Sequence, residues 1–211
     1  MRVASTAHTA QPWLIHEITP DFRMEDVWAL PTPGGPDDFP LLLALLENNS
    51  FPDDGPVAAR LLWRLRWKLG ALLRLDRRAT GLDTRVPSLR TRLPAELRDK
   101  SVATQRSGSP FTTLYQLPNE YAGEIANRTM HGVVHLGWVP DDTGGTGPTG
   151  GTGGWHGQMA VLVKPNGALG AAYMALIKPF RHLIIYPAML RSFERRWQDQ
   201  REHGAAPSVA E

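Results

Sequence analysis

From Phe111 onward, apolar and polar residues alternate with a period of two. FTTLYQL, YAGEIA, MHGVVHLGWV and WHGQMAVLVK each follow this pattern, and PNE and NRT mark tight turns between the first three. In the third segment Met130, Val134, Leu136 and Trp138 share one face, while His131, Val133, His135 and Val139 share the other. In the fourth, Met159, Val161 and Val163 alternate against His156, Gln158 and Lys164. The pattern predicts four consecutive antiparallel strands, with the three histidines on an outer, solvent-facing side.

Upstream, DVWALP carries strand formers and stops at PTPGGP, which predicts a first strand and a turn. FPLLLALLENN reads as a short helix, with Asp37 and Asp38 available to cap it. Pro56 then suits the first turn of a helix over residues 57–75. There Leu61, Leu62, Leu65, Leu69, Leu72 and Leu73 form one stripe, and Arg60, Arg64, Lys68 and Arg74 lie opposite. Residues 76–110 keep no sustained period apart from a short helix at LPAELRD.

Ala168 to Leu190, ALGAAYMALIKPFRHLIIYPAML, is long and apolar enough to suggest a membrane span. Lys178 and Arg181 near its middle would each cost roughly 2.5–3.5 kcal/mol in a bilayer. On a helical wheel its apolar residues cluster on one side, opposite Lys178, His182 and Arg196. This predicts an amphipathic helix over residues 169–197, bent where Pro179 and Pro187 each remove a backbone donor.

The 211 residues suit one domain, and the absence of cysteine excludes disulfides and thiolate chemistry and fits a cytoplasmic setting. Residues 1–16 lack the apolar block of a secretory signal and read as a disordered arm. A single domain is expected over 17–198, followed by a disordered tail at 199–211. The Gly/Thr tract over 143–154 lacks the Lys-Ser or Lys-Thr of a phosphate-binding loop and reads as a loose hairpin connection. Of 23 basic residues 19 are arginine, a bias that also follows codon composition, so no nucleic-acid partner is inferred. Basic residues are still concentrated between Arg60 and Arg106.

The element order, a strand, two short helices, a run of antiparallel strands and a long final helix, resembles the α+β helix-grip fold. Its superfamily comprises START, Bet v 1 and polyketide cyclase-like (SRPBCC) proteins. In that fold a curved sheet wraps the C-terminal helix and an apolar cavity lies between them. LGAAYMALIKPFRHLIIYPAMLR, LLWRLRWKLGALLRLD and PDFRMEDVWALP are similar to a bacterial family of uncharacterised proteins. Its members occur alone or fused behind a short-chain dehydrogenase-like domain. The resemblance runs from about Glu17 to Trp197 and is most specific over Leu169 to Leu190; it carries no catalytic residues. The Gly-rich insertion and NRTMH depart from the family pattern.

The resemblance implies a pocket for an apolar or amphipathic small molecule, lined by Trp28, Trp138, Met159, Val161, Tyr173, Leu176, Phe180 and Ile184, with Arg66 or Tyr186 as polar contacts. Arg181, His182 and Tyr186 place polar groups at the helix bend. Catalysis of a cyclase or dehydratase kind would fall to Glu124 as acid and His131 as base, beside Arg128 at the turn. The plainer reading of these groups is salt bridging and solvent exposure, and no enzyme activity, metal or cofactor is inferred. Histidines four apart on a strand stand about 13 Å apart, too far to share a metal ion. Trp63 and Trp67 among Arg60 and Arg64 suit a membrane surface or a docked partner, unless both tryptophans pack beneath residues 76–110.

Overall fold

The computed structural model describes residues 1–47, 82, 86–100, 111–141 and 154–204. The helix expected over 57–75, with Arg60, Trp63, Arg64, Arg66 and Trp67, lies outside the described residues, as do residues 205–211 and most of the Gly-rich tract.

Two short helices, α1 (Ser5–Thr9) and α2 (Leu14–Ile18), precede strand β1 (Arg23–Ala29) and helix α3 (Phe39–Glu47). A 3-10 turn (Leu89–Arg92) and α4 (Ala95–Lys100) follow. The four alternating segments form β2 (Thr112–Gln116), β3 (Glu120–Ala126), β4 (Met130–Pro140) and β5 (Trp155–Pro165). The chain then rises through α5 (Gly167–Phe180), a π-helical segment (Arg181–Ile185) and α6 (Tyr186–Gly204). The fold is α+β: one five-stranded antiparallel sheet, in the order β1-β5-β4-β3-β2, and a long C-terminal helix.

Alternation along the strands sends side chains to two faces, and both faces are covered. On the first, Trp28, Leu136, Trp138 and Met159 pack with α3 and with Tyr186, Phe193 and Trp197 of α6. On the second, Ala122, Val133, Ala160 and Leu162 pack beneath Trp13, Ile15, Ile18, Leu89 and Leu93. The N-terminal residues, expected from sequence to be a disordered arm, are therefore part of the cover. Val3 N–H also donates to Val27 O along the outer edge of β1, and Trp13 lies flat over Gly137, where a Cβ would sit 2.6 Å from the indole. This cover corrects the placing of the histidines. His131, His135 and His156 are buried: Phe22 packs on His131, His8 and Trp13 pack on His135, and His156 pairs with Asp141.

The bend expected from the two prolines takes the form of the π-helical segment between them, in which Tyr186 N–H donates to Arg181 O. Glycine is required where the final helix begins. A Cβ on Gly170 would fall 2.0 Å from Thr129 O, so the helix leaves β5 in backbone contact with the β3–β4 turn. No helix among the described residues is long and apolar enough to cross a membrane.

Candidate functional site

Alternation places Asp26 on the same inward face as Trp28, so a carboxylate points toward the final helix from an apolar strand. Its side chain has no solvent exposure. A buried charge is stable only when partners replace its water. Three come from the π-helical segment and the first residue of α6. His182 Nε2 lies 2.5 Å from Asp26 Oδ1, the Tyr186 hydroxyl donates to Oδ2 at 2.9 Å, and Arg181 Nη2 stands 3.3 Å from Oδ2. Arg2, half-exposed, approaches to 3.9 Å from the N-terminal segment.

Two local irregularities build this cluster. The pairing of β1 with β5 shifts register between Met24 and Asp26, which marks a bulge at Glu25. Consecutive residues of a regular strand point to opposite faces, whereas a bulge re-aims one of them. Here Glu25 and Asp26 both reach the guanidinium of Arg181, Glu25 at 3.5 Å. Opposite them stands the π turn. Bulges of both kinds are over-represented beside functional sites.

Burial raises the Tyr186 hydroxyl above its ordinary pKa, and the Asp26 carboxylate adds to the effect. The phenol therefore remains a proton donor. Trp28 packs on Tyr186 at 4.9 Å and meets His182 edge-on at 6.3 Å. Not every donor is satisfied: Arg181 Nε and Nη2 and Trp28 Nε1 are buried without a hydrogen-bond acceptor. Alongside runs a cleft of about 400 Å³, walled by Arg2, Val3, Ala4 and Ser5 on one side and by Met24 to Val27 on the other.

The residues singled out from sequence are placed unevenly around this centre. Arg181, His182 and Tyr186 converge on Asp26, which the sequence reading did not single out. Trp28, Trp138 and Met159 are buried and packed together, and Val161 is partly buried beside them. Ile184 is half-buried, while Leu176 and Phe180 stand 68% and 46% exposed. The side chain of Tyr173 and all of Arg66 lie outside what the structure describes.

Glu124 and His131 do come together, with His131 Nε2 2.9 Å from Glu124 Oε2, but on the face away from the final helix. Glu124 also accepts from Ser88 Oγ and from Leu89 N–H, so its oxygens hold the 3-10 turn to the sheet. Four residues along β4, His135 Nε2 lies 2.9 Å from Glu120 Oε2, which also accepts from the Tyr115 hydroxyl, and Glu120 Oε1 accepts from Leu14 N–H. His8 Nε2 completes that chain 2.9 Å from His135 Nδ1. His156 pairs separately with Asp141. These buried sets fasten the cover to the sheet. Among the described residues no three His, Asp or Glu side chains are placed to hold a metal ion.

Residues 18–188 match the model of a family described as a protein of unknown function, DUF2867. The chain belongs to that family. No curated protein and no solved structure matches it. The DUF2867 match includes Asp26 and the segment from Arg181 to Tyr186, whereas Arg2, His8 and Trp13 precede it.

Proposed function

We propose that this DUF2867 member binds a small amphipathic molecule in the cleft beside Asp26, on a helix-grip-like scaffold. The element order and the meander that returns β5 to β1 support the scaffold. The observation that carries the binding reading is the position of the cleft. Its wall includes the strand bulge at Glu25 and the carboxylate of Asp26, which the π turn and Tyr186 hold from the other side.

Asp26 is hydrogen-bonded by His182 and Tyr186 and ion-paired with Arg181, so it organises the site and does not receive the ligand. The accessible charge is the Arg2 guanidinium, 54% exposed at the cleft wall. A carboxylate or phosphate head would pair with it, and Val3, Met24 and Val27 offer apolar contact to the rest of the molecule. This site lies at the edge of the sheet, apart from the packed Trp138 and Met159.

Octanoate, titrated while backbone amide shifts are followed by NMR, tests the reading. Binding should perturb Arg2 to Ser5 and Met24 to Val27 in the wild type and not in Arg2→Glu. No perturbation, or perturbation centred elsewhere, would overturn it.

A further inference from the structure

We propose that residues 1–16 form an acid-released strap over this cleft, held down by the His8–His135–Glu120 chain. The regulatory consequence rests on the cleft reading; the motion of the strap does not.

One continuous segment does both things. Arg2 to Ser5 wall the cleft, and three residues later His8 enters the second face of the sheet with no solvent exposure. The hydrogen-bond chain fixes the tautomers. His135 donates Nε2–H to Glu120, so its Nδ1 carries the lone pair that receives His8 Nε2–H. His8 Nδ1 is then a bare lone pair, buried without a partner, and the adjacent Trp13 Nε1 is a buried donor without an acceptor. A proton added to His135 Nδ1 sets two N–H groups against each other. One added to His8 Nδ1 creates a buried charge with nothing to accept its hydrogen. Either weakens the link.

The titratable groups around His8 reinforce this. His16 of α2 and His135 of β4 each stand with ring centroids 4.9 Å away, and His16 also contacts His8 O. Glu120 of β3 and Tyr115 of β2 lie beyond His135. Burial pushes the His8 imidazole down to about 3, with His135 and His16 adding to the effect. Burial also lowers His135, and Glu120 partly opposes it. A base whose pKa is lower in the folded state is held fully above its free value near 6.5 and loses that hold as pH falls below it. Release should grow by roughly tenfold between pH 7.5 and 5.5 for each histidine freed.

The chain has no cysteine, so a nitroxide placed through Ala10→Cys, an exposed position of the strap, reports its motion. A second label through Arg195→Cys on α6 reports the rest of the fold. The strap label should gain a mobile component as pH falls from 7.5 to 5.5 while the α6 label stays unchanged. The double variant His8→Gln, His135→Gln should remove the response. A strap label indifferent to pH, or both labels loosening together, would overturn the proposal. So would an undiminished response in the double variant; if that variant does not fold, the two labels in the otherwise unaltered chain decide. Octanoate added at both pH values tests the cleft separately: a strap that moves without octanoate binding sinks the ligand reading alone.

Discussion

Tyr186 donates its hydroxyl proton to Asp26 across 160 positions of sequence, at 2.9 Å, and this bond joins the final helix to the first strand. Tyr186→Phe keeps the packing on Trp28 and removes only the donor. It is expected to cost about 1.5–3 kcal/mol, as for a hydrogen bond to a charged acceptor. Asp26→Ala removes the common partner of His182, Tyr186 and Arg181 and should cost more, about 3–5 kcal/mol. Urea unfolding followed by circular dichroism compares them; equal losses would show that Asp26 does not organise the cluster.

Gly137 and Gly170 are points of contact between layers. Gly137→Ala would press a methyl group to 2.6 Å from Trp13 and should cost about 1–3 kcal/mol, with the N-terminal cover loosened first. Gly170→Ala meets backbone at 2.0 Å and should cost at least as much, because Thr129 O cannot rotate away as a side chain can. Amide exchange at residues 8–18 and 167–175 would show whether each effect is local.

Glu124 is expected to be a fastener. Glu124→Gln disrupts its links to Ser88, Leu89 and His131, so the 3-10 turn should detach from the sheet. Brief trypsin treatment should then cut at Arg90 and Arg92 several-fold faster than in the wild type, as read by mass spectrometry. Unchanged cleavage there would mean that Leu89, Leu93 and the bonds of Arg92 to Ile18 O and Asp21 hold the turn without Glu124.

Stability should fall in acid in two stages. His8 and His135 have folded pKa values below their ordinary one, so their contribution is complete above about pH 6.5 and declines below it. Asp21 is held below the usual carboxylate range by Arg92 and Lys164, so its contribution persists until pH falls through about 4. Asp21 is a surface group, and Asp21→Asn should cost no more than about 1 kcal/mol at neutral pH. Urea midpoints between pH 7.5 and 3.5 measure both stages. His8→Gln should shrink the upper one to the His135 part and leave the lower one unchanged.

The strands were legible because alternation is a property of the chain itself: the faces read for Met159 and Val161, and for Val133 and His135, are those observed. What lay over each face was not legible. STAHT and LIHEI are too short to carry a helical period, and their helices are held by Trp13, Ile15 and Ile18 against the sheet. Without that cover a strand histidine looks solvated. The site had one overlooked signal: Asp26, alternating in phase with Trp28 and Leu30, is a carboxylate at an inward position and demands partners. Arg181, His182 and Tyr186 could be singled out as polar groups at a proline bend, but only the sheet order brings β1 opposite them.

That sheet order sets the timetable of folding. Trp28 pairs with Met159, and among the described residues β1 meets the other four strands through β5, so it joins their sheet when the last of them is available. The hairpins from β2 to β5 close locally and can form early, whereas docking β1 must overcome the entropy of a very long loop. During synthesis β1, with Val27 and Trp28, therefore emerges long before its partner. The last event, the return of the final helix to Asp26, locks both ends of the domain in one step.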